Sequence, residues 1–127
     1  MCIRDRIIQD HAIYQASRGM ADYYERIQKK TADFLEICCE LGGLVGGMDR
    51  EEAGKLAEYG HCIGMAFQIT DDLLDIEQTT EKIGKPAGND IRQGIVTLPV
   101  IRALETSPDA KELEAIVTDM ELSLIHI

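Results

Sequence analysis

From Tyr23 to Val45 the positions Ile27, Thr31, Phe34, Leu35, Cys38, Leu41 and Val45 recur at steps of three and four, the spacing that gathers side chains on one face of a helix. Alternation fits this stretch poorly, so an amphipathic helix is predicted there and a strand rejected. Gly42, Gly43, Gly46 and Gly47 crowd its end. A phosphate-cradling glycine loop would need a strand before it and Lys-Ser or Lys-Thr after it, so the glycines are read as helix termination and close packing. Asp49 and Glu52 form an N-cap pair that opens a long helix from about Arg50 through Ile76. Its central sequence, GHCIGMAFQITDDLLDI, holds no Pro and no turn cluster.

Between Glu77 and Val96, Gly84, Pro86, Gly88 and Gly94 stand among polar residues, the composition of a long functional loop. Thr97 and Pro99 open a short helix through Leu104, and Ser107 with Pro108 repeats that start for a last helix through Glu121. Nothing indicates strands, repeats or a second domain. The expected architecture is an all-α helical bundle.

Composition narrows the partners. Across 127 residues, 13 Lys and Arg face 23 Asp and Glu for a net charge of -10, which argues against nucleic acid. No apolar run approaches the roughly 20 residues of a bilayer span, and the start lacks a signal-peptide pattern, so a cytoplasmic protein that is not an integral membrane protein is expected. Cys38, Cys39 and Cys62 have neither metal nor disulfide spacing and read as small, reduced core residues. The start MCIRDR and the end LSLIHI can be encoded by complementary strands of one short sequence, which resembles a transposase adapter of short-read sequencing. Residues 1–6 and 122–127 are therefore read as translated adapter, and residues 7–121 as an interior piece of a longer chain.

On the long helix, Ala57, Gly60 or His61, Gly64, Gln68, Asp71 and Asp75 fall on one face, with Asp72 beside it. Small residues there permit close helix packing or leave a groove for an apolar ligand. Carboxylates one turn apart can share a divalent cation, and an all-oxygen donor set suits a hard ion such as magnesium. Asp71, Asp72 and Asp75 cannot all stay ionised together without a cation or a raised pKa, and acidic groups at a helix C-terminus oppose its dipole. Lys30 and Thr31 offer an ammonium and a hydroxyl to phosphate oxygens. Lys85, in the turn Gly84-Lys85-Pro86, and Asp90 follow the acidic helix end and could form a lid that excludes water. His11, His61, Tyr23, Tyr24 and Tyr59 receive no role.

KKTADFL, GMAFQITDDLLDI and GKPAGNDIRQGIVTLPVI, in this order, resemble the C-terminal half of trans-type isoprenyl diphosphate synthases, the polyprenyl synthetase family. The resemblance implies a fragment of the isoprenoid synthase fold. It makes Asp71, Asp72 and Asp75 the second aspartate-rich motif, Asp71 the direct Mg2+ ligand among them, and Asp90 a further acidic position of the flap. Phe67 and Gln68 match a Phe-Gln pair at the substrate, Gln68 stabilising charge near the allylic carbon. Lys30 and Thr31 match a pair that touches the diphosphate, and Lys85 a flap lysine. The implied reaction of the parent chain is the elongation of an allylic prenyl diphosphate by isopentenyl diphosphate, within a homodimer or, as an alternative, a heterodimer. Many members carry a Lys where this chain has Ile95. QGIVTLP resembles long-chain enzymes of the quinone side-chain type. The family's first aspartate-rich motif does not occur, so this piece alone is expected to be inactive. A non-catalytic partner subunit and a terpene-cyclase-like lyase are the competing readings.

Overall fold

The computed structural model describes residues 19–77 and 88–118. The adapter-like ends 1–6 and 122–127 lie outside the described residues, as do His11 and Lys85. Among the described residues every regular element is a helix: α1 (Met20–Ile27), α2 (Asp33–Val45), α3 (Arg50–Glu77), α4 (Asn89–Arg92), α5 (Leu98–Thr106) and α6 (Ala110–Thr118). The all-α expectation holds.

The helix expected from Tyr23 to Val45 begins at Met20, and a π-helical turn at Gln28–Ala32 divides it into α1 and α2. Packing explains the turn. Tyr23 and Ile27, one α-helical step apart, are both buried, and in an unbroken α-helix Thr31 would take the next inward position. The wider turn delays that position by one residue and puts Ala32 there, fully buried. Ala32 meets α3 at Gly64, where an added Cβ would stand 2.5 Å from the Ala32 Cα. A Cβ on Gly60 would likewise come within 2.7 Å of Cys39 Sγ and of the Leu35 carbonyl oxygen. Gly60 and Gly64 of the long helix thus serve the helix crossing, which decides between close packing and a ligand groove at those positions in favour of packing.

The turn after α2 uses its glycines as expected. Gly47 has φ 91°, a left-handed conformation that suits glycine at a helix end. Gly46 N–H donates to the Gly42 carbonyl at 2.9 Å and Met48 N–H to that of Gly43 at 3.0 Å, satisfying the last turn. Asp49 Oδ1 then accepts from the Glu51 and Glu52 amides, both at 2.9 Å, while Glu52 Oε2 accepts from Asp49 N–H at 3.3 Å. That reciprocal cap starts α3. Its buried face runs through Ala53, Ala57, Gly60, Gly64, Gln68 and Asp72. The stripe continues in steps of four and ends on Asp72, where the sequence pattern had placed Asp71 and Asp75; Asp71 is exposed and Asp75 half-buried.

Thr97 precedes α5 with Pro99 in its first turn; α6 starts at Ala110, after the expected Ser107-Pro108 signal. The core joins α1, α3, α5 and α6 through buried Tyr23, Ile27, Val96, Val100, Ile101 and Val117, with Met65, Ile69 and Leu104 packed against them. Cys38 and Cys62 are exposed and Cys39 is half-buried. This corrects their reading as core residues: Cys39 alone sits near the crossing, and the other two point away from it. Phe34, Leu41 and Val45 of the predicted apolar stripe are also exposed. Among the described residues no helix is long and apolar enough to cross a membrane.

Candidate functional site

Three of the predicted residues form one hydrogen-bonded chain, and a fourth residue that the sequence did not single out completes it. Thr31 Oγ1, in the π turn, donates to Gln68 Oε1 at 3.1 Å. Gln68 Nε2 donates to Asp72 Oδ1 at 3.0 Å, and Tyr23 Oη donates to Asp72 Oδ2 at 2.8 Å. Tyr23, Gln68 and Asp72 are 2%, 4% and 5% exposed, so these bonds form away from bulk water, where an unmet polar group is costly. Burial, then the hydrogen bond to Asp72 and its charge, push the Tyr23 phenol well above the ordinary tyrosine range. It therefore stays a neutral donor.

Arg26 frames the same place. Its guanidinium donates to the Val96 carbonyl at 2.6 Å and lies 5.6 Å from the Tyr23 ring centroid, within cation–π range. A cleft opens beside it, lined by Arg26, Lys30, Gln68, Asp72, Asp90 and Ile95. Its cationic groups come from the α1–α2 segment and its carboxylates from α3 and α4.

Asp75 and Asp90 are tied together by backbone. The Asp75 carbonyl accepts from Gly88 N–H at 2.8 Å, and Asp75 Oδ2 accepts from Asp90 N–H at 3.1 Å. Gly88, with φ 70°, allows the chain to turn there into α4. The Asp90 carboxyl is pushed up to about 6, by burial first and then by the negative charges of Asp75, Asp72 and Asp71, against a smaller opposing effect of Lys30. The four aspartates predicted as metal ligands thus act in one electrostatic neighbourhood, with Lys30 inside it.

The structure therefore brings together Lys30, Thr31, Gln68, Asp72, Asp75 and Asp90. Asp71 reaches the group by charge, from an exposed position. Phe67 is 63% exposed and does not line the cleft. Lys85 lies outside the described residues. No three of Asp71, Asp72, Asp75 and Asp90 offer oxygens within 4.8 Å of one another; among the described residues the group that does so is Asp33, Glu36 and His61, where His61 Nδ1 is 2.8 Å from Glu36 Oε2. The aspartate donor set nevertheless suits magnesium: it is all oxygen, and the negative charges of Asp75, Asp72 and Asp71, which add to burial in raising the Asp90 carboxyl, are ones a cation offsets. Asp72 differs from the rest, since both its oxygens already accept protein hydrogen bonds.

Sequence reasoning missed Tyr23 and Arg26. A signal for Tyr23 existed in its spacing, one helical step before Ile27 on the inward face. Arg26 had none, because its partner is a backbone carbonyl distant in the chain.

The polyprenyl synthetase family model matches residues 7–123. Component 2 of heptaprenyl diphosphate synthase from Geobacillus stearothermophilus is 45% identical over 101 residues, which cover 80% of this chain and 32% of that protein. The crystal structure of heptaprenyl diphosphate synthase from Staphylococcus aureus superposes with a TM-score of 0.85 at 34% identity, over 96% of this chain and 41% of that one. Polyprenyl synthase from Caulobacter crescentus, solved in complex with calcium and isoprenyl diphosphate, superposes with a TM-score of 0.71 at 28% identity, over 96% and 43% of the two chains. The chain spans about a third of the length of the curated relatives it matches. By sequence and by fold, it belongs to the polyprenyl synthetase family.

Proposed function

We propose that the protein containing this chain is a trans-prenyltransferase of the cytoplasm, which joins an allylic prenyl diphosphate to isopentenyl diphosphate in a magnesium-dependent reaction. The observation that carries this reading is the cleft lined by Lys30, Gln68, Asp72 and Asp90, with Thr31 hydrogen-bonded to Gln68 and Gln68 to Asp72. Lys30 supplies a point charge for a diphosphate. The Thr31 hydroxyl now donates to Gln68, and a phosphate oxygen is a competing acceptor for that same proton. Gln68, held at both ends of its amide, presents a fixed dipole where positive charge develops on the allylic carbon. Lys85 would close the site from the loop. Phe67 would contact substrate from its exposed position on α3.

Asp71, Asp75 and Asp90 would hold Mg2+, which when bound neutralises the charge of the departing diphosphate. The Caulobacter relative, with its divalent cation and isoprenyl diphosphate, supports this assignment. The names of the Geobacillus and Staphylococcus relatives support a long-chain product. A relative named as a numbered component also supports assembly with a second, different subunit rather than a homodimer alone.

The complete protein is tested with labelled isopentenyl diphosphate and an allylic diphosphate, with and without Mg2+. Elongated product that requires Mg2+ is expected, together with a loss of about 100-fold or more in Asp71→Ala. Full turnover in that variant sinks the assignment. Product that appears only with a second subunit and ignores Asp71→Ala marks a non-catalytic partner. Consumption of allylic diphosphate without isopentenyl diphosphate marks a cyclase.

A further inference from the structure

We propose that Tyr23 is a positioning residue of this site: its buried hydroxyl holds Asp72, and Asp72 in turn sets which way the Gln68 amide faces Thr31. The inference rests on the prenyl-transfer reading and adds to it a residue that reaches the cleft only through others.

The argument follows the donors and acceptors. An ionised carboxylate can only accept hydrogen bonds, and both oxygens of Asp72 do so, from Tyr23 Oη at 2.8 Å and Gln68 Nε2 at 3.0 Å. The group beside Oδ1 must therefore be the NH2 end of Gln68. Its carbonyl end then has to face Thr31, which gives it a proton at 3.1 Å. The flipped amide would set its oxygen against Asp72 Oδ1, two buried acceptors without a proton between them, at a cost comparable to an unmet buried polar group. The charge on Asp72 thus removes the freedom that an amide otherwise has.

Gln68 is oriented only as well as Asp72 is held, and the tyrosine supplies the second contact. Tyr23 is 2% exposed, fixed by core packing and by the Arg26 guanidinium over its ring. It lies on α1, before the π turn that carries Thr31, whereas Gln68 and Asp72 lie on α3. The bonds therefore close a brace between two helices, with the π turn setting the reach of one side. No buried side-chain nitrogen or oxygen among the described residues lacks a partner, and removing the phenolic oxygen leaves Asp72 with one donor fewer.

The test uses the complete protein. Tyr23→Phe keeps the ring and removes the bond. It is expected to lower kcat by about 10- to 100-fold, the scale of a small misplacement of a reacting group, with KM for isopentenyl diphosphate little changed. In a Gln68→Ala background, Tyr23→Phe should change kcat by less than about twofold, because residues that act as one unit are not additive. Effects that multiply would show that Tyr23 acts only on the fold and would overturn the inference, as would an unchanged kcat in Tyr23→Phe. Should Tyr23→Phe not fold, Asp72→Asn serves instead: it keeps the shape, offers an amide that tolerates either Gln68 orientation, and is expected to lose kcat to a similar degree. Wild-type kcat in Asp72→Asn overturns the inference as well. An unmodified protein that never turns over isopentenyl diphosphate contradicts the functional reading instead. The side-chain amide protons of Gln68, followed by NMR in Tyr23→Phe, then decide the brace by itself: they should shift, and unmoved resonances refute it.

Discussion

Helices α2 and α3 carry two kinds of surface. Where α3 crosses α2 and the π turn before it, Ala32 of that turn is fully buried, Ala53 and Ala57 are buried with it, and Gly60 and Gly64 leave no room for a Cβ. Elsewhere on the same helices Phe34 is 68% and Val45 89% exposed, and Ile37, Leu41, Ile63 and Phe67 are exposed too. The smaller residues are inside and the larger apolar ones outside, the reverse of what hydrophobicity alone would choose. An apolar residue is buried by what the rest of the chain brings to it, and small side chains win the crossing because two backbones must come close.

The largest effect should separate residues that the sequence pattern treats as equals. Ile27 and Phe34 both belong to the predicted stripe, yet Ile27 is 2% exposed and sits in the core. Ile27→Ala is expected to cost about 2–5 kcal/mol, the usual range for such a cavity. Phe34→Ala should stay within about 0.5 kcal/mol, as for surface changes. Urea unfolding of both variants checks this, and equal losses would mean that the exposed face is packed in solution.

Next comes the crossing itself. Gly64→Ala would place a Cβ 2.5 Å from the Ala32 Cα, a backbone atom that cannot turn aside. A loss of about 1–3 kcal/mol is expected, the usual cost of overpacking. Because Ala32 follows Thr31, the same push should lengthen the Thr31–Gln68 bond. Unfolding gives the first quantity and the Thr31 hydroxyl resonance the second.

The acidic end of α3 gives a smaller effect that depends on pH. The Asp90 carboxyl rises from 3.8 to about 6 in the fold, so the folded state holds the proton more tightly than the unfolded chain does. That contribution to stability is fully present below about 3.8 and is lost as pH rises through about 6. Asp90→Asn should remove this slope between those limits. Carboxyl NMR should find the Asp90 midpoint near 6, and Mg2+ should move it down, since a cation favours the ionised form. A midpoint indifferent to Mg2+ would count against Asp90 as a ligand.

How much could be read in advance follows the range of each interaction. The start of α3 was legible because Asp49 and Glu52 cap it locally, and its length because no breaker interrupts it. Lys30, Thr31, Gln68 and Asp90 were legible as residue types that suit a phosphate or a cation. The π turn was not: nothing within Gln28–Ala32 demands it, and its reason lies in Ala32 meeting Gly64 on another helix. Tyr23 and the inward turn of Asp72 escaped for the same cause, since both depend on how closely α1 and α3 approach. The sequence pattern puts Asp71 and Asp75 on the helix stripe and Asp72 beside it. The fold makes Asp72 an internal anchor and leaves Asp71 exposed.

The smallest change gives the sharpest version of the comparison, because it repeats one substitution on one helix with the opposite sign. Gly54 lies in α3 as Gly64 does, but a Cβ there would meet nothing within 4 Å. Gly54→Ala should therefore stabilise the chain by about 0.5–1 kcal/mol, through helix propensity and the smaller entropy of the unfolded state. The sign is the test. If Gly54→Ala and Gly64→Ala both stabilise, the crossing is looser than the 2.5 Å approach implies, and the placement of Thr31 against Gln68 loses its support. If Gly54→Ala stabilises while Gly64→Ala destabilises, glycine on this helix is required by the neighbouring backbone at one position and by nothing at the other.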